Sequence, residues 1–293
     1  MKKISIYYHI PKRFLILNEL RKLVSLLVFV KYFFLHHLQL KKFLKNTKVL
    51  GNSKSNKRCL IIGNGKSLNE LNFDKVKSLQ DSGDLEIFVV NFLIVDTEIR
   101  DRIAPNYIFL SDPETRFDFK SERNIELWRF ISEHPDVKVI TPHTWHDSIP
   151  SCGLGCLHFN DISLEGLSKN ISPLKVRGYA SFTTYKAIAY ALFLNYSKIL
   201  LIGLDNSWYK GLQVNSKNEI ILNSFHFTNN YSEPKNITSH YTFGVAELFI
   251  DVSSSLTSLI ELFPKKDIVN LSNQSIIDCF PRNQGDYDEF IKG

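Results

Sequence analysis

Short, unbroken apolar runs alternate along this chain with longer stretches whose apolar residues recur every three or four positions. The runs Cys59–Ile62, Ile87–Asn91, Tyr107–Leu110, Val137–Ile140, Lys198–Ile202 and Asp267–Leu271 predict strands buried on both faces, the pattern of a parallel sheet. The periodic stretches predict helices over Asn69–Gln80, Ile125–Ser132, Thr183–Leu194 and Ala246–Phe263. Strands and helices taken in turn, with short connections, predict an α/β fold: a mostly parallel, Rossmann-like sheet covered by helices on both faces. Leu212–Asn230 interrupts the alternation and reads as a long hairpin or lid turning at Asn215-Ser-Lys-Asn218.

The polar residues that end the runs are expected to share one rim, where open parallel sheets hold their ligands. The first run leads into Gly63-Asn64-Gly65, the second ends at Asn91, the third meets Ser111-Asp112-Pro113, and Lys198–Ile202 meets Gly203-Leu204-Asp205-Asn206-Ser207. Any one of these is an ordinary turn. Four on one rim predict a site. Gly63 and Gly65 let the backbone come close to a ligand, and Ser67 is expected to cap the helix that follows, whose free N–H groups and dipole favour a phosphate. The segment is neither a Walker A sequence nor a full G-x-G-x-x-G, because Leu68 stands where the third glycine belongs. Thr183 and Thr184 open a second helix, where they either hold a phosphate or carboxylate or act as plain caps.

Charge changes the picture at the amino end. The whole chain carries a net +6, yet residues 1–48 hold eleven Lys and Arg against the single acid Glu19, so the remainder is acidic. Those cations are interleaved with Leu, Val and Phe, which predicts a basic amphipathic helical arm over residues 1–50, lying on an anionic membrane surface. A transmembrane helix fits less well because Lys31 interrupts the apolar stretch, where about 18 clean residues are wanted. An arm packed on the body or on a second subunit stays open. No nucleic-acid-binding module accompanies the cations, so no nucleic-acid partner is expected. Residues 51–57 read as a polar linker and 58–293 as one α/β domain. The cysteines Cys59, Cys152, Cys156 and Cys279 do not show structural zinc spacing and read as free thiols of a reducing cytoplasm.

The order of these motifs resembles the bacterial sialyltransferases of glycosyltransferase family 42 and, more broadly, the related 6-hydroxymethylpterin diphosphokinase-like domain family. Ile61–Leu68 resembles the sialyltransferases' opening strand and Gly-Asn-Gly-Pro-Ser-Leu turn, with Lys66 replacing the proline. Asn91 is similar to their second asparagine site, and Thr183 through Asp205 resembles their serine-opened helix followed by a Gly-Ile-Asp strand end. The resemblance implies metal-independent, inverting transfer of sialic acid or a related acidic sugar from a CMP-activated donor, with no cofactor. It places Asn64 and Gly65 at the nucleotide phosphate and ribose, Asn91 at the donor, Thr183 and Thr184 near the cytosine and donor carboxylate, and Tyr209 behind the leaving phosphate. Asp112 stands where the sialyltransferases show asparagine, and would repel a sialic acid carboxylate.

For the base, His240 matches the order of the sialyltransferases' histidine before a long helix, while His226, between Phe225 and Phe227, competes from the hairpin. His143 and His146 are expected on the acceptor side or in packing. The preferred reading is a cytoplasmic glycosyltransferase, peripheral on the inner face of the cytoplasmic membrane, acting on a cell-surface glycan or lipid-linked saccharide; a homo-oligomer is left open. The alternatives are a Mg²⁺-dependent pyrophosphokinase, with Asp112 and Asp205 as metal ligands, and a non-catalytic nucleotide-binding scaffold in glycan assembly.

Overall fold

The computed structural model describes residues 12–51, 57–149, 156–206, 208–223, 235–240 and 244–291. Two helices precede the body, α1 (Lys12–Phe43) and α2 (Lys45–Leu50). The body then runs β1 (Arg58–Ile62), α3 (Phe73–Asp81), β2 (Leu85–Val90), α4 (Thr97–Arg100), β3 (Tyr107–Phe109), α5 (Glu122–Glu133), β4 (Lys138–Pro142) and β5 (Leu157–Phe159). It continues through α6 (Thr183–Phe193), β6 (Lys198–Ile202), β7 (Leu212–Val214), β8 (Ile220–Leu222), β9 (Lys235–Asn236), α7 (Val245–Leu262), β10 (Ile268–Asn270) and α8 (Gln284–Phe290).

Seven strands form one sheet in the order β10-β6-β1-β2-β3-β4-β5, parallel at every pairing. This is the expected α/β class. Alternate side chains of each strand enter opposite layers. Leu60, Ile62, Ile87, Val89, Leu200 and Ile202 meet α3, α4, α5 and α8, whereas Cys59, Ile61, Phe88, Phe109, Ile199 and Leu201 meet α6 and α7. Burial on both faces explains why these strands read as unbroken apolar runs. The strand order reverses direction at β1: the chain moves from β1 out to β5, then returns to place β6 on β1's other side. Such a switch point separates the loops leaving adjacent strands and opens a crevice between them.

Two local expectations are corrected. The turn after β1 enters a five-residue 3₁₀ segment, Lys66–Glu70, and not an α-helix. The α-helix starts only at Phe73, where the Asn72 side chain accepts a hydrogen bond from the Lys75 N–H at 3.0 Å. The edge strand β5 has no counterpart among the expected strands, because three residues with a central His158 form too short a run. The hairpin is present as β7 and β8, antiparallel and extended by β9, with Asn218 in the left-handed region at φ 58°. Its stretch from 224 to 230 lies outside the described residues.

The amino-terminal helices are tied to the body. Thr47 of α2 is fully buried; its hydroxyl donates to the His158 carbonyl at 2.6 Å and accepts from the His158 N–H at 3.2 Å, capping part of the free edge of β5. Residues 44–51 therefore pack with the body, although they belong to the segment read as arm and linker. Helix α1 touches the body through Ser25, whose hydroxyl donates to the Ser163 carbonyl at 3.1 Å. Its consecutive residues Leu26, Leu27 and Val28 are all exposed, and with about 100° between successive residues they form a broad apolar belt in place of a narrow stripe. Among the described residues no helix is long and apolar enough to cross a membrane.

Candidate functional site

A cleft of about 1600 Å³ opens at the β1/β6 switch point. Its inner end is lined by Asn64, Gly65, Gly203, Leu204, Asp205 and Asn206, which leave the carboxyl ends of those two strands. The two turns are packed backbone on backbone. Gly63 N–H donates to the Ile202 carbonyl at 2.8 Å and Gly65 N–H to the Gly203 carbonyl at 2.7 Å. A Cβ on Gly63 would lie 2.5 Å from the Gly203 carbonyl oxygen, and one on Gly65 would lie 2.6 Å from the Asp205 carboxyl. The glycines are thus required by the approach of one turn to the other, whereas close approach to a ligand was the expectation.

Asp205 holds this junction. It is 2 % exposed, and its carboxylate accepts from the Ser67 N–H at 2.8 Å, from the Ser67 hydroxyl, and from the Ser272 hydroxyl at 2.8 Å. Ser67 also accepts from the Gly203 N–H at 3.0 Å. Ser67 therefore laces β1 to β6 and does not cap a helix, as was expected of it; a buried carboxylate outcompetes a helix end for its hydroxyl. What the junction offers to the cleft is Asn64, whose side-chain oxygen is buried and has no hydrogen-bond partner in the structure. An orphaned amide oxygen of this kind costs about 1–3 kcal/mol unless a bound group donates to it.

A second knot gathers three more of the expected residues. Asn91 sits in the left-handed region at φ 49°, which asparagine tolerates. Its side-chain oxygen accepts from the Ser111 N–H at 3.2 Å and the Asp112 N–H at 3.4 Å, and its amide nitrogen donates to the Thr183 hydroxyl at 3.1 Å. Thr183 and Ser111 hydroxyls are 2.6 Å apart. The ends of β2 and β3 and the start of α6 are thereby fixed to one another. Asp112 turns its carboxylate to the Glu114 N–H at 3.1 Å, capping the 3₁₀ segment Pro113–Thr115. Helix α6 begins after Phe182 with no side-chain cap, so its first N–H groups are left for another acceptor.

Of the expected residues, Asn64, Gly65, Thr184 and Asp205 line the cleft, and Gly63, Ser67, Asn91, Asp112 and Thr183 do not. Tyr209 lies on the 3₁₀ segment Trp208–Gly211, its ring 6.3 Å from Phe249 of α7. His240 ends the 3₁₀ segment Thr238–His240, three residues after the cleft-lining Ile237, and its side chain lies outside the described residues. His226 and Cys152 also lie outside the described residues. His143 and His146 belong to a 3₁₀ segment beside β5, away from the cleft lining, where His146 Nδ1 is 3.3 Å from His158 Nε2.

The structure adds residues with no sequence signal of their own, Ser272 beside Asp205 and Tyr185 in the cleft wall. Ser111, read only as part of a strand-end turn, gains its partner in Thr183. Tyr185 hydrogen-bonds Ser255 at 2.8 Å, and burial pushes its phenol up to about 12, against the lowering effect of Ser255 and Asn206. It is a neutral wall of the cleft at any ordinary pH.

Among the described residues no group of three or more His, Cys, Asp or Glu side chains is arranged to hold a metal ion. No protein-family model matches the chain, and no curated protein matches it in sequence. Among solved structures it is similar to the sialyltransferase CstII from Campylobacter jejuni, described as in complex with a substrate analogue, cytidine-5′-monophosphate, at 13 % identity and a TM-score of 0.42, over 77 % of this chain and 84 % of that one.

Proposed function

We propose that the chain is a glycosyltransferase that moves a sugar from a CMP-activated donor onto a surface glycan or lipid-linked saccharide. The observation that carries this reading is the meeting of the Gly63–Gly65 turn, the Gly203–Asn206 turn and the uncapped start of α6 at one cleft on the switch point. Backbone N–H groups at a helix start favour a phosphate, and the buried, unpartnered Asn64 oxygen asks for a donor such as a ribose hydroxyl. Asn91, Ser111 and Thr183 act through position, holding the α6 start against the ends of β2 and β3.

In the proposed transfer an acceptor hydroxyl oxygen attacks the anomeric carbon of the donor. A new C–O bond forms as the bond from that carbon to the CMP phosphate breaks, and CMP departs with the electron pair. A histidine takes the hydroxyl proton. His240 is preferred because it follows the cleft-lining Ile237 by three residues and precedes α7, which also lines the cleft. The arm would keep the enzyme peripheral on an anionic membrane, the inner face of the cytoplasmic membrane being the proposed location.

The pyrophosphokinase reading loses support at Asp205, since its carboxylate is buried and already receives three hydrogen bonds, so it is not poised to share a Mg²⁺ with Asp112. The test is thermal stabilisation by CMP, CDP, ATP and GDP, each with and without EDTA. Stabilisation by CMP that survives EDTA is the expected result, and stabilisation by ATP that requires Mg²⁺ sinks the proposal. His240→Ala should then lower kcat by about 10²–10⁴ while leaving CMP stabilisation in place; full activity would remove His240 as the base.

A further inference from the structure

The cleft is larger than a nucleotide-sugar needs, since pockets for single small ligands run to about 300–1,000 Å³ and this one reaches about 1600 Å³. Beyond the two turns, its lining includes Asp251, Ser254 and Ser258 of α7 and Lys22, Val24 and Ser25 of α1. Helix α1 reaches this position through Ser25, bonded to Ser163, and through Lys22, whose side chain passes 3.3 Å from where a Cβ on Gly166 would stand. The lining there is hydroxyl-rich with charges of both signs, which suits a neutral polyhydroxylated group better than an anion or a cation. On its outer side the same helix exposes Leu23, Leu27 and Phe34, at 52 %, 61 % and 76 %.

Resting on the glycosyltransferase reading, we infer that α1 is itself a wall of the acceptor subsite: an amphiphilic glycoside places its sugar between α1 and α7 and its alkyl chain along the outer belt of α1. The arm then does more than hold the enzyme near a membrane. Occupancy of the cleft and burial of the belt become one event, because a single helix carries both surfaces.

Hydrogen exchange on the full chain tests this, with dodecyl β-lactoside below its micellar concentration, lactose at the same concentration, and CMP as probes. The expected result is that the lactoside slows exchange several-fold in both Leu20–Val30 and Asp251–Ser258, and that lactose does so weakly. Val24→Trp, a change at a 58 % exposed position, should fill the mouth and remove the protection of Asp251–Ser258 while leaving CMP protection of Gly63–Ser67 intact. Protection confined to α1 would mean that the amphiphile merely coats the belt, and would overturn the inference. So would equal protection by lactose, or protection of neither wall. Loss of CMP protection in the unsubstituted chain strikes the donor reading separately, and is read from different peptides.

Discussion

Gly203 lies in the left-handed region at φ 71°, and a Cβ added there would meet the Gly63 carbonyl oxygen at 2.2 Å. Gly83 has nearly the same backbone, φ 82°, with nothing within 4 Å of its added Cβ. The pair separates conformational strain from close approach. Gly83→Ala should cost about 1–2 kcal/mol, the strain of a left-handed L-residue. Gly203→Ala should cost several times more in urea unfolding, since a backbone carbonyl and not a flexible side chain must give way. Equal losses at the two sites would refute the tight β1/β6 junction described above. Asp205 belongs to the same junction: its hydrogen bonds to Ser67 and Ser272 fix the turn that presents Asn64. Its role is to position the site, which its place at a strand end does not by itself reveal.

At the scale of elements, the edge strand β5 and the short helix α2 form a unit. His158 sits between them, its backbone bonded to Thr47 and its Nδ1 2.9 Å from the Thr141 hydroxyl, with His146 and His143 facing the ring. Burial first, then these two histidines, lower its pKa to about 4. The folded chain thus resists protonating His158 where the unfolded chain accepts a proton near pH 6.5. Stability contributed by the neutral ring is complete above about pH 6.5 and declines as pH falls toward 4. Between pH 7 and pH 5 the decline should amount to about 2 kcal/mol. Denaturant unfolding of His158→Gln across that range should give a flatter profile than the parent; an unchanged slope would show that other groups carry the acid sensitivity.

For the molecule as a whole, the question is what α1 does beyond the body. Removing residues 1–43 spares the buried Leu44, Thr47 with its bond to β5, and Gly51, which lies against Phe193 of α6. The truncated body should remain folded, with its circular dichroism unfolding still cooperative. It should fail to sediment with vesicles containing anionic lipid, and binding of the full chain should weaken as salt rises. Sedimentation of the truncated body at the same level would show that the membrane contact lies elsewhere. The arm holds eleven basic residues within the first 48 positions. In the proposed membrane contact their attraction to an anionic surface would add to that of the apolar belt, and only the first of these contributions would be screened by salt.

Six of the seven sheet strands, the four long helices of the body and the shared rim were legible in the sequence, because burial on two faces leaves an unbroken apolar run and burial on one leaves a period near 3.6 residues. Residues such as Asn64, Asn91, Thr183 and Asp205 could be singled out because they end those runs. Their partners could not. Ser67 meets Asp205 across 138 positions and Asn91 meets Thr183 across 92, and no local pattern encodes a hydrogen bond between turns that only the strand order brings together. The same limit hid β5, whose edge is covered by Thr47 from 111 positions away, and the reach of α1 to the cleft. Local periodicity therefore determined which segments are strands and helices and which polar residues face the rim. The tertiary structure alone decided that Ser67 binds a carboxylate instead of capping a helix, that the glycines serve the contact between two turns, and that the basic arm forms a wall of the cleft.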